Sequence, residues 1–173
     1  MTRPPFIHFT AETQQKAYEL WGANCGPNAL AVVSWKPLDE MPKVLIGFDL
    51  KRYTNPSMME NGLNLLGMKW SRERGLNTRT GTPKDGLARV QWEGRWLDPG
   101  VPNVVSYRHT HWIACFNSLV FCTACGCFGW VDFQDYSKYL TEKFCPQNGY
   151  RGWHITHRYE IERNLKPEAS YVS

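Results

Sequence analysis

The hydrophobic positions in the first part of the chain recur with helical spacing. Thr10 is a favourable N-cap for a helix over residues 11–20, and Gly22 interrupts that helix. A second helix is predicted to begin near Cys25, with Pro27 in its first turn and an apolar face behind it. The spacing therefore predicts two consecutive helices at the start of the chain.

A third helix precedes a change to strand-like alternation. Asn55-Pro56-Ser57 opens this helix and Gly67 ends it. Further along, a Glu93-Gly94 turn between residues 87–92 and 95–97 predicts a β-hairpin. More strands are predicted over residues 104–107, 111–116, 119–122 and 129–133. Helices first and strands later indicate an α+β fold, with N-terminal helices packed on a C-terminal antiparallel sheet.

Length and composition fit one folded domain. The chain has 173 residues, of which 42% are hydrophobic and 21% charged, so disorder and coiled coil are excluded. We expect a single domain over residues 1–173, with its core in about residues 10–160 and a frayed tail over 164–173. The net charge of +4 is mild and spread out, so no nucleic-acid partner is expected.

The N-terminus carries no apolar region typical of a secretory signal, and no run of 18 apolar residues is present. We therefore expect a cytoplasmic protein without a membrane partner. In that setting the six cysteines are expected to be free thiols rather than a disulfide framework. Nothing in the sequence indicates the oligomeric state.

Cys25 lies at the predicted start of the second helix. A thiol in a first helical turn faces unpaired backbone N–H groups and the positive end of the helix dipole, and both favour the nucleophilic thiolate. Gly26 leaves the sulfur open to an approaching carbonyl, and the same N–H groups can hold an oxyanion. Cys25 is therefore a candidate nucleophile; the alternative is a small buried cysteine before a core helix.

A nucleophilic thiol needs a base, and His111 opens an apolar strand beside Trp112. His109 lies two residues earlier and is the competing candidate, because alternate residues of a strand share a face. Asp132, on a later strand, is the predicted acceptor that orients the imidazole, with Gln134 and Asp135 as weaker alternatives. Either histidine, and Asp132, could instead have only a structural role at a strand end.

Cys25, His111 and Asp132, in this order along the chain, resemble the catalytic residues of the papain-like cysteine peptidases, in particular the peptidase C39-like group. That group has a Cys-Gly-Pro-Ala-Ala-Leu type segment at a helix start, matched here by residues 25–31. A later strand of the group begins with His-Trp or His-Phe, matched by residues 111–114, and the next strand carries an Asp, matched by Val131-Asp132. The helix near residues 54–59 is also similar to the group's segment between Cys and His. The resemblance covers about residues 10–135 and implies a papain-like fold with a Cys-His-Asp triad.

One position departs from this pattern. The group has a Gln six residues before the cysteine, whose amide donates to the oxyanion, whereas this chain has Glu19, whose carboxylate would repel an oxyanion. Either Asn24 supplies the amide together with the Cys25 N–H, or the loop register differs, or activity is reduced. We expect Trp21, Gly26 and Trp112 to contact substrate, since they neighbour the proposed catalytic residues.

A second cysteine cluster consists of Cys122, Cys125 and Cys127. It could be a hairpin tip of small residues, a redox pair, or half of a zinc site completed by Cys115 or Cys145. No motif for a cofactor is present, and neither a cofactor nor a metal is expected.

The residues lead to one main hypothesis, a cysteine-dependent hydrolase that cleaves a peptide or isopeptide amide through a thioester acyl-enzyme, with acyl transfer to an amine as a variant. The alternative is a weakly active or inactive papain-like module that binds a protein or peptide partner in an aromatic groove. A third hypothesis is a metal-binding protein whose ligands come from the cysteine cluster, with Cys25 only packed in the interior. The short, hairpin-rich build is also similar to that of small phage or prophage proteins.

Overall fold

The computed structural model describes residues 11–22, 24–123 and 129–162. Its helices are α1 Ala11–Trp21, α2 Cys25–Ser34, α3 Met41–Val44, α4 Phe48–Lys51, α5 Pro56–Leu65, α6 Asn103–Ser106, α7 Phe133–Tyr139 and α8 Cys145–Gln147. Its strands are β1 Lys69–Thr78, β2 Asp85–Glu93, β3 Thr110–Phe116, β4 Leu119–Phe121, β5 Trp130–Asp132 and β6 Gly152–Glu162. The predicted tail over 164–173, together with Thr10, Cys125 and Cys127, lies outside the described residues.

The six strands form one sheet in the order β1-β6-β2-β3-β4-β5, and every strand pair is antiparallel. Helices precede and flank this sheet, so the α+β class is confirmed. Of the two predicted N-caps, Thr10 lies outside the described residues, whereas the Asn55 side chain accepts from the Met58 N–H at 2.9 Å and begins α5 as expected. No described helix is long and apolar enough to cross a membrane.

The predicted hairpin after β2 is wrong. Gly94 continues in extended backbone, and Arg95–Leu97 forms a 3₁₀ turn that is held by the Trp96 indole N–H donating to the Trp92 carbonyl at 2.7 Å. β2 instead pairs with β3 and β6, which come from distant parts of the chain. The local turn signal was therefore outweighed by long-range pairing.

The strand predicted over residues 104–107 is also wrong, because this segment is helix α6. Pro102 precedes it, and the Ser106 hydroxyl donates to the Asn103 carbonyl at 2.7 Å. The buried Gln91 side chain donates to the Ser106 carbonyl at 3.1 Å. Tertiary hydrogen bonds thus override the strand preference of two consecutive valines.

The sheet separates two hydrophobic cores. On one face α2 to α5 pack over Leu87 and Trp112, whereas on the other face α7 and the turn that follows it pack over Val90 and Ile113. Neighbouring residues of β2 and β3 alternate between these cores, as the two-residue period of a strand requires.

A bulge in β6 lets one strand serve both cores. The pairing with β2 shifts by one residue between Arg89 and Val90, opposite Thr156. As a result Ile155 belongs to the second core, whereas Tyr159 belongs to the first, although both are odd-numbered residues of one strand. The extra residue reverses the facing of the side chains that follow it.

Candidate functional site

Cys25 is the first residue of α2, as predicted. The first intrahelical hydrogen bond runs from the Asn28 N–H to the Asn24 carbonyl at 2.9 Å, so the Cys25 and Gly26 N–H groups lie in the first turn and have no carbonyl partner within the helix. A side chain at Gly26 would overlap the Thr54 side chain, which explains why glycine follows the cysteine. The Cys25 side chain is half-buried.

His111 lies near the start of β3 and is only 3% exposed. Strand β4 pairs with β3 from Ala114 to Phe116, so the part of β3 that contains His111 has no strand on that side among the described residues. This open stretch of strand edge is where Cys25 approaches. The backbone N–H of Trp112 donates to the Cys25 sulfur, and so does the N–H of Gly26.

Cys25 and His111 are brought together, as the sequence predicts. Burial raises the pKa of the Cys25 thiol, but a hydrogen bond to His111, its charge, and the two backbone N–H groups outweigh burial and lower the pKa below its ordinary value. Burial lowers the pKa of His111, yet contacts with Cys122 and Cys25 raise it to about 10. These contacts therefore favour the thiolate form of Cys25 and the protonated form of His111.

The second neighbour of the imidazole is Cys122, a residue that sequence analysis assigned to a different cluster. The His111 Nε2 atom lies 3.1 Å from the Cys122 sulfur. The Tyr136 hydroxyl donates to the same sulfur at 3.6 Å. Cys122 is 1% exposed and occupies the position of an orienting acceptor.

Asp132 does not occupy that position. Its carboxylate caps helix α7 by accepting from the Gln134 N–H at 2.7 Å. Gln134 and Asp135, the weaker alternatives, are exposed on α7. A residue at the boundary between β5 and α7 satisfies the unpaired helix terminus locally, and this use competes with a distant imidazole.

His109 is also separate from the pair. Its ring stacks on Trp96 with centroids 3.5 Å apart, and its carbonyl accepts from the Trp92 N–H at 2.8 Å. Of these two histidines His111 contacts Cys25, whereas His109 anchors the turn before β3.

The predicted oxyanion amide has another partner, since Asn24 Nδ2 donates to the Gln14 carbonyl at 3.1 Å. Glu19 is exposed on α1 and accepts from Gln15 at 2.9 Å, which is a surface contact within one helix. Gln14 itself is 5% exposed, and its Nε2 has no hydrogen-bond partner in the described part of the chain. A buried unpaired amide costs about 1–3 kcal/mol, which makes Gln14 a functional candidate that sequence analysis missed.

A cavity of about 360 Å³ opens beside the Cys25 sulfur. Gly26 and Trp112, which we expected to contact substrate, line this cavity, and Trp112 is fixed by its indole N–H donating to the Thr54 carbonyl at 2.8 Å. Trp21 is not among the lining residues; it packs edge-on against Phe48 with ring centroids 5.9 Å apart. The remaining wall comes from α4, α6 and the segments beside them.

The other described cysteines are packed in the interior. Cys115 is 1% exposed and burial raises its thiol pKa, while burial raises that of Cys145 to about 11. Within the described residues no group of three His, Cys, Asp or Glu side chains is arranged to hold a metal ion. The zinc alternative depends on Cys125 and Cys127, which lie outside those residues.

Comparisons of the chain with protein-family models, with curated proteins and with solved structures found no significant match. What the site can do chemically therefore follows from the arrangement of Cys25, His111 and Cys122. A charged thiolate beside an open cavity can attack an electrophilic carbon, and a buried imidazolium can deliver a proton to the group that leaves.

Proposed function

We propose that this protein is a cysteine-dependent hydrolase of a peptide or isopeptide amide, with a papain-like arrangement of nucleophile and base. The observation that carries the proposal is the contact between Cys25, at the N-terminus of α2, and the buried imidazole of His111. A cysteine on a helix that packs against a sheet, with its histidine on a strand of that sheet, supports the papain-like assignment.

The reaction begins when the Cys25 thiolate attacks the amide carbon and forms a carbon–sulfur bond, which moves the carbonyl electron pair to the oxygen. N–H groups in the first turn of α2, which have no carbonyl partner within the helix, stabilise this oxyanion. His111 then gives its Nδ1 proton to the nitrogen, the carbon–nitrogen bond breaks, and the amine leaves from a thioester.

The second half of the reaction reverses these roles. Neutral His111 takes a proton from water, and the oxygen of that water attacks the thioester carbon. Collapse of the tetrahedral intermediate releases the carboxylic acid and restores the Cys25 thiolate with the His111 imidazolium. If an amine replaces water, the same steps complete an acyl transfer.

Cys122 takes the part of the third residue in this proposal. Its sulfur lies 3.1 Å from Nε2. In the proposed mechanism this contact leaves Nδ1 to exchange protons at Cys25. A sulfur acceptor also favours the protonated imidazole, because its contact is among the causes that raise the pKa of His111. Asp132 has no part in this arrangement.

A second candidate is a binding module that uses the same cavity without turnover. The engagement of Asn24 by Gln14 favours it, because the amide predicted for the oxyanion already has a partner. In that case a Cys25→Ser variant and the wild type would bind the same peptides with equal affinity, and neither would consume them.

The test of the hydrolase proposal is the rate of alkylation by iodoacetamide between pH 5 and 10, with peptide mapping of each modified thiol. We expect Cys25 to react fastest, with an apparent pKa below about 8.5. The buried Cys115 and Cys145 serve as internal controls in the same molecule. His111→Gln should return Cys25 to an ordinary thiol, and equal slow labelling of all cysteines would overturn the proposal.

A further inference from the structure

The cavity beside Cys25 has an apolar wall that is open to solvent. Tyr53, Val104 and Tyr107 line it and are 49%, 65% and 55% exposed. Phe48 and Trp112 close its inner side. Exposed apolar side chains concentrated around a reactive group are typical of a surface that receives an apolar part of a ligand.

Among the described residues that line this cavity, the basic side chains are those of Arg52 and Arg108, and no Asp or Glu is among them. Both are exposed, and none of the ion pairs among the described residues includes either one. Arg52 donates to the Leu20 carbonyl at 2.9 Å, which directs one of its N–H groups to the end of α1. Asp49, an acidic residue close to Arg52 along the chain, is exposed on α4 and does not line the cavity.

A third arginine is buried behind the apolar wall of the cavity. Arg89 of β2 is 4% exposed, pairs in register with Trp112, and lies 5.7 Å from the centre of the Tyr107 ring. Its Nε has no hydrogen-bond partner within the described residues. Arg89 forms no ion pair among the residues that the structure describes, so its buried charge adds positive potential to the cavity that Tyr107 lines.

We propose that the cavity receives an acidic segment of substrate, with an Asp or Glu side chain near the scissile amide and an apolar residue beside it. This inference rests on the proposed function, since it names the substrate class of the same site. The aromatic wall accepts the apolar residue, and Arg52 and Arg108 face the carboxylate. Arginine pairs well with carboxylates through its planar fork of donors.

The first experiment compares two reagents that differ in charge, iodoacetate and iodoacetamide, by their second-order rate constants at Cys25. The ratio of the two rates is read by peptide mapping and compared with the ratio for N-acetylcysteine. We expect the ratio at Cys25 to be at least about threefold higher and to fall in 0.5 M sodium chloride, because salt screens exposed charges.

Variants distinguish the effect of the two arginines on this rate ratio from the effect of the His111 imidazolium, which also attracts an anion. Arg108→Gln should lower the ratio, and Arg52→Gln with Arg108→Gln should lower it further. Lys36→Gln is the matched control, because Lys36 is exposed beyond the far end of α2, about 15 Å from Cys25. A ratio that is the same in all variants would overturn the inference, even if Cys25 remains selectively reactive.

The second experiment uses N-acetyl dipeptide aldehydes that protect Cys25 from iodoacetamide. We expect protection to decrease in the order Phe-Glu, Phe-Gln, Phe-Lys, with the difference lost in the double arginine variant. Equal protection by all three contradicts an acidic substrate while leaving the hydrolase proposal intact. If Cys25 shows no selective labelling, the proposed function fails, and the iodoacetate ratio still decides the charge of the cavity.

Discussion

Cys122 and His111 are joined by a contact of 3.1 Å between sulfur and Nε2, inside the second core of the protein. A carboxylate or amide at this place would have an oxygen acceptor of fixed direction. A sulfur is larger and more polarisable, and its own protonation is linked to that of the imidazole. The two thiols on either side of His111 therefore make it the centre of the site.

Replacement of Cys122 by Ala should weaken the site. The variant removes one cause of the raised pKa of His111, so the alkaline limb of the activity profile should move from about pH 10 toward neutral. We expect kcat/KM at pH 7 to fall about tenfold or more, and Cys122→Ser to restore part of it. Cys115→Ala is the control, since it removes a buried thiol that does not contact His111. A profile unchanged in Cys122→Ala would show that the contact is only packing.

The wild-type pH profile should have a broad plateau. The acid limb should lie below the ordinary thiol value of about 8.5, because the pKa of Cys25 is lowered. The alkaline limb should lie near pH 10, where His111 loses the proton that the leaving amine needs. Steady-state kinetics between pH 5 and 10.5 on a fluorogenic peptide would test both limits. A single alkaline limb near pH 7 would contradict the charged pair.

The same pair predicts how stability depends on pH. The raised pKa of His111 contributes stability that is fully present below about pH 6.5 and is lost as the pH rises to about 10. The lowered pKa of Cys25 contributes stability that is fully present above about pH 8.5 and is lost as the pH falls through the folded pKa of the thiol. Above about pH 8.5 only the loss from His111 remains, so stability should fall as the pH rises toward 10. Urea unfolding midpoints of the wild type and a Cys25→Ser, His111→Gln variant would isolate this contribution by difference.

Asp132 should matter for stability and not for catalysis. Asp132→Ala removes the N-cap of α7 and should cost about 1 kcal/mol in the free energy of unfolding. Asp132→Asn keeps an acceptor and should cost less. The alkylation rate of Cys25 should stay within about twofold in both variants. A large loss of activity in the two variants together would restore Asp132 as the partner of His111.

For Gln14 we expect the opposite of Asp132, because its replacement should affect catalysis and not stability. Gln14→Met removes a buried amide with no partner, so the free energy of unfolding should be unchanged or slightly higher. If this amide donates to the oxyanion, kcat should fall about 100-fold while KM changes little. Gln15→Met is the matched control on the exposed side of the same helix. Unchanged kcat in Gln14→Met would exclude the amide from the reaction.

The sequence predicted those parts of the fold that local chemistry decides. The start of α2 at Cys25 and the cap of α5 by Asn55 follow from residues within one turn. Strand β6 was not predicted. Its apolar residues alternate, but the bulge at Thr156 changes the face of the sheet toward which they point, so one continuous alternation does not run through the strand. Strand β1 has almost no buried residue, and its polar sequence gives no alternation to detect.

The sequence predicted two residues of the candidate site, Cys25 and His111, and did not predict the third, Cys122. Cys25 and His111 are marked by position, one at a helix start and the other at a strand start. Cys122 could not be assigned, because its contact depends on how far β4 extends along β3 and on the packing of Tyr136. The nearby cysteines suggested a cluster, and the carboxylate at Asp132 was the more usual acceptor.

His111 also connects the two halves of the interior. Its ring lies in the layer with Trp92, Cys122 and Tyr136, whereas Cys25 belongs to the opposite layer with α2. The reactivity of a thiol on one side of the sheet thus reports on packing on the other side. Loosening of α7 would release the imidazole before it disturbed α2, so alkylation of Cys25 would serve as a probe of partial unfolding that begins on the opposite side of the sheet.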